Sequence, residues 1–96
     1  MPLFAFIGHD VPDSGTLRVA HRPAHLAGLE ALDAAGRIRF AGPILDAEGS
    51  PLGSVILFEA DDRSAAETIA ARDAYVTGGV FAHYEVRETR ATFPRS

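Results

Sequence analysis

The segment 18-RVAHRPAHLAGLEALDAAG-36 sets His21, Arg22 and His25 around a proline in a leucine-rich helical pattern. At 3.6 residues per turn, His25 shares a stripe with Leu29 and Leu32, where hydrocarbon would face a core. An imidazole there is desolvated. If Pro23 opens the helix, the ring also feels the positive pole of the first turn, and both effects favour its uncharged form. A neutral ring whose tautomer is held by a partner can accept a proton, which is the chemistry of a general base. The plainer reading is a core histidine bonded to a backbone carbonyl, and position on the helix favours that reading.

Asp73 changes the balance. It ends the second helical pattern, just ahead of Tyr75 and Gly78-Gly79. A carboxylate at that pole of a helix is not expected to cap it, so it is free to hold an imidazole. A solvated turn aspartate is the competing reading. Arg22 could clasp a carboxylate or oxyanion through two parallel hydrogen bonds, or pair with one of the 13 acidic residues. Ser54 could offer a hydroxyl to a ligand, but no G-x-S-x-G elbow surrounds it and a nucleophilic role is unsupported. Gly42-Pro43 and Gly53-Ser54 read as turn chemistry flanking the loop between two strands. On the functional readings, against those plainer ones, the candidate catalytic pair is His25 and Asp73, and the candidate substrate-binding set is Arg22, Ser54, Gly42, Pro43 and Tyr75.

Other chemistries fit less well. His21 and His25 lie a helical turn apart, a ligand spacing, but neither an H-E-x-x-H pattern nor a cysteine accompanies them, so no metal is expected. His9 and His83 read as surface or dimer-face residues. The 96 residues contain no cysteine and no lysine, their basic residues being nine arginines. Thiolate, Schiff-base and P-loop chemistry are therefore excluded. A net charge of −4 offers no footprint for nucleic acid or an anionic membrane. Met1 to Ile7 is apolar but short and lacks a basic start, and no run approaches a membrane span, so a cytoplasmic setting is expected.

The elements that must position these groups follow from periodicity. Leu3 to Ile7 is a continuous apolar run and reads as a buried strand. Asp13 or Ser14 can cap a first helix, in which Pro23 is either the opening residue or an interior one, and Gly36 closes it. Arg37 to Leu45 reads as a strand stopped near its end by Gly42-Pro43. A turn cluster spans residues 46–51, and Ser54 to Glu59 is a third strand. Ser64-Ala65-Ala66-Glu67 matches a capping box and opens a helix to Ala71 or Arg72. Residues 73–79 read as a turn or broken helix. Val80 to Arg87 alternates as a half-buried strand, and Thr89 to Ser96 reads as a loose tail of the single domain spanning residues 1–96.

The order β-α-β-β-α-β is the ferredoxin-like, α+β pattern: a four-stranded antiparallel sheet with its helices on one face. Both central runs are apolar enough to be covered on the far face as well, and a second copy packed sheet to sheet is the simplest cover.

The motifs Arg22-Pro23-Ala24-His25-Leu26, Gly36-Arg37, Ala41-Gly42-Pro43, Gly53-Ser54 and Asp73-Ala74-Tyr75 leading to Gly78-Gly79-Val80-Phe81 together resemble the YCII-related family. The resemblance spans nearly the whole chain. It implies a ferredoxin-like fold assembled as a dimeric α/β barrel, with a site around His25 and Asp73 that Arg22 and Ser54 accompany. Ala74 stands where the family usually carries proline, which loosens the turn holding Asp73 without changing its chemistry. The function expected is a small enzyme without cofactor, using the His-Asp pair for acid/base chemistry on a small oxygenated, possibly aromatic, acid. The alternative is a non-catalytic dimeric module that binds an anionic small molecule.

Overall fold

In the computed structural model, which describes residues 1–95, the first apolar run becomes β1 (Leu3–Asp10). Its alternation decides which side chains turn inward. Phe4 and Phe6 are buried, while Leu3, Ala5 and Ile7 on the opposite face are only half covered. The remaining elements are α1 (Gly15–Ala34), β2 (Ile38–Leu45), β3 (Pro51–Glu59), α2 (Arg63–Arg72), the short α3 (Ala74–Thr77) and β4 (Phe81–Thr89). The sheet order is β2-β3-β1-β4 with every neighbouring pair antiparallel, so the ferredoxin-like α+β fold is the observed one.

The inner face carries Phe4, Phe6, Ile56 and Phe58, and both long helices lie against it. α2 approaches through Ala66 and Ala70, both fully buried, and small side chains let the helix axis come close. From α1, Leu17 and Leu29 are only half buried. The one buried residue of α1 is His25. The helix therefore does not present its leucines most deeply, and the ring takes that place.

α1 runs continuously from Gly15 with Pro23 in its interior, so the second of the two sequence readings applies. The proline removes the bond to the carbonyl of Val19, a residue 77% exposed where water can replace the lost donor. His25 consequently lies well beyond the first turn, and the field of the helix terminus no longer bears on its charge. Gly36, at φ 73°, closes the helix as expected.

Other boundaries shift for physical reasons. Gly42-Pro43 does not stop β2, because β2 is an edge strand and tolerates a residue without N–H. β3 starts at Pro51, before the expected Ser54, so Gly53 and Ser54 belong to the sheet and not to a turn. A Cβ on Gly53 would lie 2.3 Å from the Gly8 carbonyl oxygen, an approach only glycine permits. α2 is capped by Asp62, whose carboxylate accepts the Ala65 N–H, in place of the Ser64 capping box. β4 reaches Thr89, so the tail starts a residue later than expected. Ser96, also assigned to that tail, lies outside the described residues.

Candidate active site

The site forms where the middle of α1 faces α3 and the inner ends of β2 and β3. Asp73 sits at the junction of α2 and α3, and its carboxylate accepts the Tyr75 N–H at 2.8 Å. This corrects the expectation that capping could not explain it: Asp73 ends one helix but starts the next, at the pole that favours an anion. That cap fixes the carboxylate, and the same group meets His25. Nδ1 of His25 lies 2.9 and 3.0 Å from its two oxygens.

A carboxylate only accepts, so Nδ1 carries a proton, and in the neutral ring the lone pair is on Nε2. Nε2 has no partner among the described residues, and no buried side-chain nitrogen or oxygen there lacks one. It therefore remains open to the pocket that His25 lines. Tyr75 stacks on the imidazole, the ring centroids 3.8 Å apart and the planes 8° from parallel. The ring is thus fixed at its edge by Asp73 and on its face by Tyr75.

The pocket encloses about 350 Å³ between α1 and the sheet. Arg22, Ser54, Gly42, Pro43 and Tyr75 all line it with His25, whereas Asp73 stands behind the ring. The strand register explains Pro43 and Ser54, which are paired neighbours on the inner face. Arg22 is exposed and forms no ion pair among the described residues, so its guanidinium is free toward the pocket. His21 goes elsewhere, its ring packed on Gly78 so closely that a Cβ there would lie 2.6 Å away.

Arg18 is the residue that sequence reasoning missed. Its Nε lies 2.6 Å and its Nη2 2.9 Å from the Asp10 carboxylate, and Nη2 also reaches the Gly53 carbonyl at 2.8 Å and Ser54 Oγ at 3.1 Å. The hydrogen bond to Asp10 raises the guanidinium above its already high range, with burial opposing. Arg18 also lies over the Tyr75 ring, 5.0 Å from the centroid. Burial raises the Tyr75 phenol above its usual range, against the pull of Arg18 and Arg22, so it stays protonated at neutral pH. A signal existed: Arg18, Arg22 and His25 recur at helical spacing, and only a helix continuous through Pro23 puts them on one face.

Chemically, the arrangement offers an oriented imidazole, one uncompensated cation and two hydroxyls around an apolar cleft. The YCII-related domain family model matches residues 2–90. A YciI protein of Escherichia coli O6:H1 is 33% identical over 97 residues, covering 95% of this chain and 99% of that protein. An uncharacterized Haemophilus influenzae protein is 32% identical, covering 94% and 98%. Among solved structures, the 5-chloro-2-hydroxyhydroquinone dehydrochlorinase TftG of Burkholderia phenoliruptrix, complexed with 2,5-dihydroxybenzoquinone, superposes with TM-score 0.82 at 30% identity, covering 92% of this chain and 93% of that one. Rv0793 of Mycobacterium tuberculosis, at 17% identity and TM-score 0.54 over the full length of both chains, shares the fold.

Proposed function

This chain belongs to the YCII-related family, and on that premise we propose a small cofactor-independent enzyme that uses His25 and Asp73 for acid/base chemistry on an oxygenated ring compound. The observation that carries the reading is the bare Nε2 of a buried imidazole, held at Nδ1 by a capped carboxylate and facing a pocket with a free arginine. In an elimination, Nε2 would take a proton from an acidic C–H or O–H of the substrate. The released electron pair would form the new double bond while the leaving group departs as an anion. Asp73 would stabilise the imidazolium, and Arg22 the negative charge that develops on the substrate oxygen. The dehydrochlorinase likeness supports an aromatic, hydroquinone-like substrate class.

Turnover of halogenated hydroxyhydroquinones tests this. His25→Ala should abolish it with the circular dichroism spectrum unchanged, and a fully active variant would refute the proposal. A second reading, a binding module without chemistry, draws support from the unpaired Arg22. The two separate by pH: an enzyme titrates in rate, a binding module only in affinity.

The reading includes a homodimer. Leu3, Ala5, Ile7, Val55 and Leu57 are half covered on the face that carries no helix, and Phe40 beside them is 54% exposed. A second copy laid sheet to sheet would bury that stripe.

A further inference from the structure

The residues lining the pocket between α1 and the sheet divide by depth. His25, Ser54, Ile56 and Tyr75 are buried and form its floor, with Arg18 and Leu29 half buried. Val19, Arg22, Leu26, Ala41, Pro43 and Pro51 are exposed and form its rim. Apart from Arg22, every polar side chain of the lining lies below the surface, and the rim is hydrocarbon. Recognition surfaces usually run the other way, with an apolar centre and polar groups at the edge that water reaches.

The rim is built as two jaws. Val19, Arg22 and Leu26 recur at i, i+3 and i+7, one face of α1. Val19 is 77% and Leu26 37% exposed, so both keep apolar surface that nothing in the chain covers. Across the cleft stand Ala41 and Pro43 of β2 and Pro51 of β3, short side chains that leave a gap between strand and helix. The dimer proposed above uses the helix-free face, so it leaves this mouth open. At about 350 Å³ the pocket falls in the range that holds drug-sized molecules, more room than one hydroxylated ring requires.

We propose that the rim is a second subsite, which takes an apolar aryl group carried by the substrate ring. The oxygenated ring goes down to His25 with its charge toward Arg22. The aryl group lies between Val19 and Leu26 on one side and Pro43 and Pro51 on the other. The inference rests on the oxygenated-ring reading above and enlarges the molecule it calls for.

The test compares 2,5-dihydroxybenzoquinone with its 3-phenyl derivative, which has the same oxygens and differs in the rim group alone. In calorimetric titrations the wild type should bind the phenyl compound about five- to tenfold more tightly, the gain from half-burying a phenyl ring. Val19→Thr combined with Leu26→Gln keeps side-chain volume nearly constant but makes that jaw polar. It should erase the gain and leave affinity for the parent quinone within about twofold. Both positions are exposed, so the melting temperature should not move. Should the paired variant not fold, Pro51→Ser, at the exposed start of β3, tests the opposite jaw by the same comparison.

Equal affinity of the wild type for both quinones would overturn the proposal and leave the substrate class standing. A gain that survives in the variants places the aryl group elsewhere and overturns it too. Variants that lower the mass seen by light scattering would make the rim an interface between copies, against the proposal. Wild-type protein that binds neither quinone overturns it together with the quinone-like substrate class.

Discussion

At the scale of single residues, the site is one imidazole given a direction. Replacing Asp73 with Asn keeps an oxygen for the Tyr75 N–H but removes the charge that holds the Nδ1–H tautomer and the imidazolium. We expect kcat to fall by about 10²–10⁴ while the melting temperature barely moves, measured on the same substrate series. Tyr75 provides a second check through pH. An unfolded tyrosine titrates near ~10 and the buried phenol above that, so between the two values the folded state binds more protons. Stability should be intact below that window and fall as pH rises through it. Urea titrations of Tyr75→Phe should show that alkaline decline flattened. His25 and Asp73 could be singled out in the sequence by type and place, a ring on a leucine stripe and an acid at a helix end. Their 2.9 Å separation could not, because they are 48 positions apart and only the crossing of α1 with α3 closes the gap. Arg18 stayed hidden for a related reason: its partners Asp10, Gly53 and Ser54 belong to two other strands.

At the scale of elements, two strand positions and one helix set the pocket. Gly53 lets β3 press against β1 at the level of Gly8, which seats Ser54 beneath Arg18. Gly53→Ala would put a methyl group against backbone that can yield only by opening the ladder. A loss of about 1–3 kcal/mol is expected in denaturant unfolding, with weaker ligand binding as the site shifts. Removing core volume away from the cleft should act differently. Phe58→Ala, at a fully buried ring, should cost about 3–5 kcal/mol without changing which ligands bind. Element types were legible because β1 and β3 are dense in apolar residues and the helices carry period-3.6 stripes. Their ends were less so. Pro43 survives inside a strand because β2 lies at the sheet edge, where a residue without an N–H is tolerated, and the α2 cap passed to Asp62 because its extended backbone lets the carboxylate reach Ala65. Both outcomes depend on which strand is at the edge and how the chain enters the helix, neither of which is written in local composition.

At the scale of the whole molecule, a sheet with helices on one face leaves its other face to be covered. The proposed dimer predicts that Leu57→Arg or Ile7→Asp, each placing a charge in the centre of that face, will halve the mass seen by light scattering. Wild-type protein that is monomeric at micromolar concentration would sink the idea. What the sequence by itself determined is the βαββαβ order, the apolar runs, the absence of thiol and amine nucleophiles, and the family pattern. These are legible because hydrophobic periodicity and residue chemistry are local properties. Only the tertiary structure decided that Pro23 lies inside one long helix, that Asp73 both caps α3 and holds His25, and that Arg18 reaches under the pocket to Ser54. Each of those depends on groups far apart in the chain, and the packing of α1 on the sheet is what brings them within hydrogen-bonding distance.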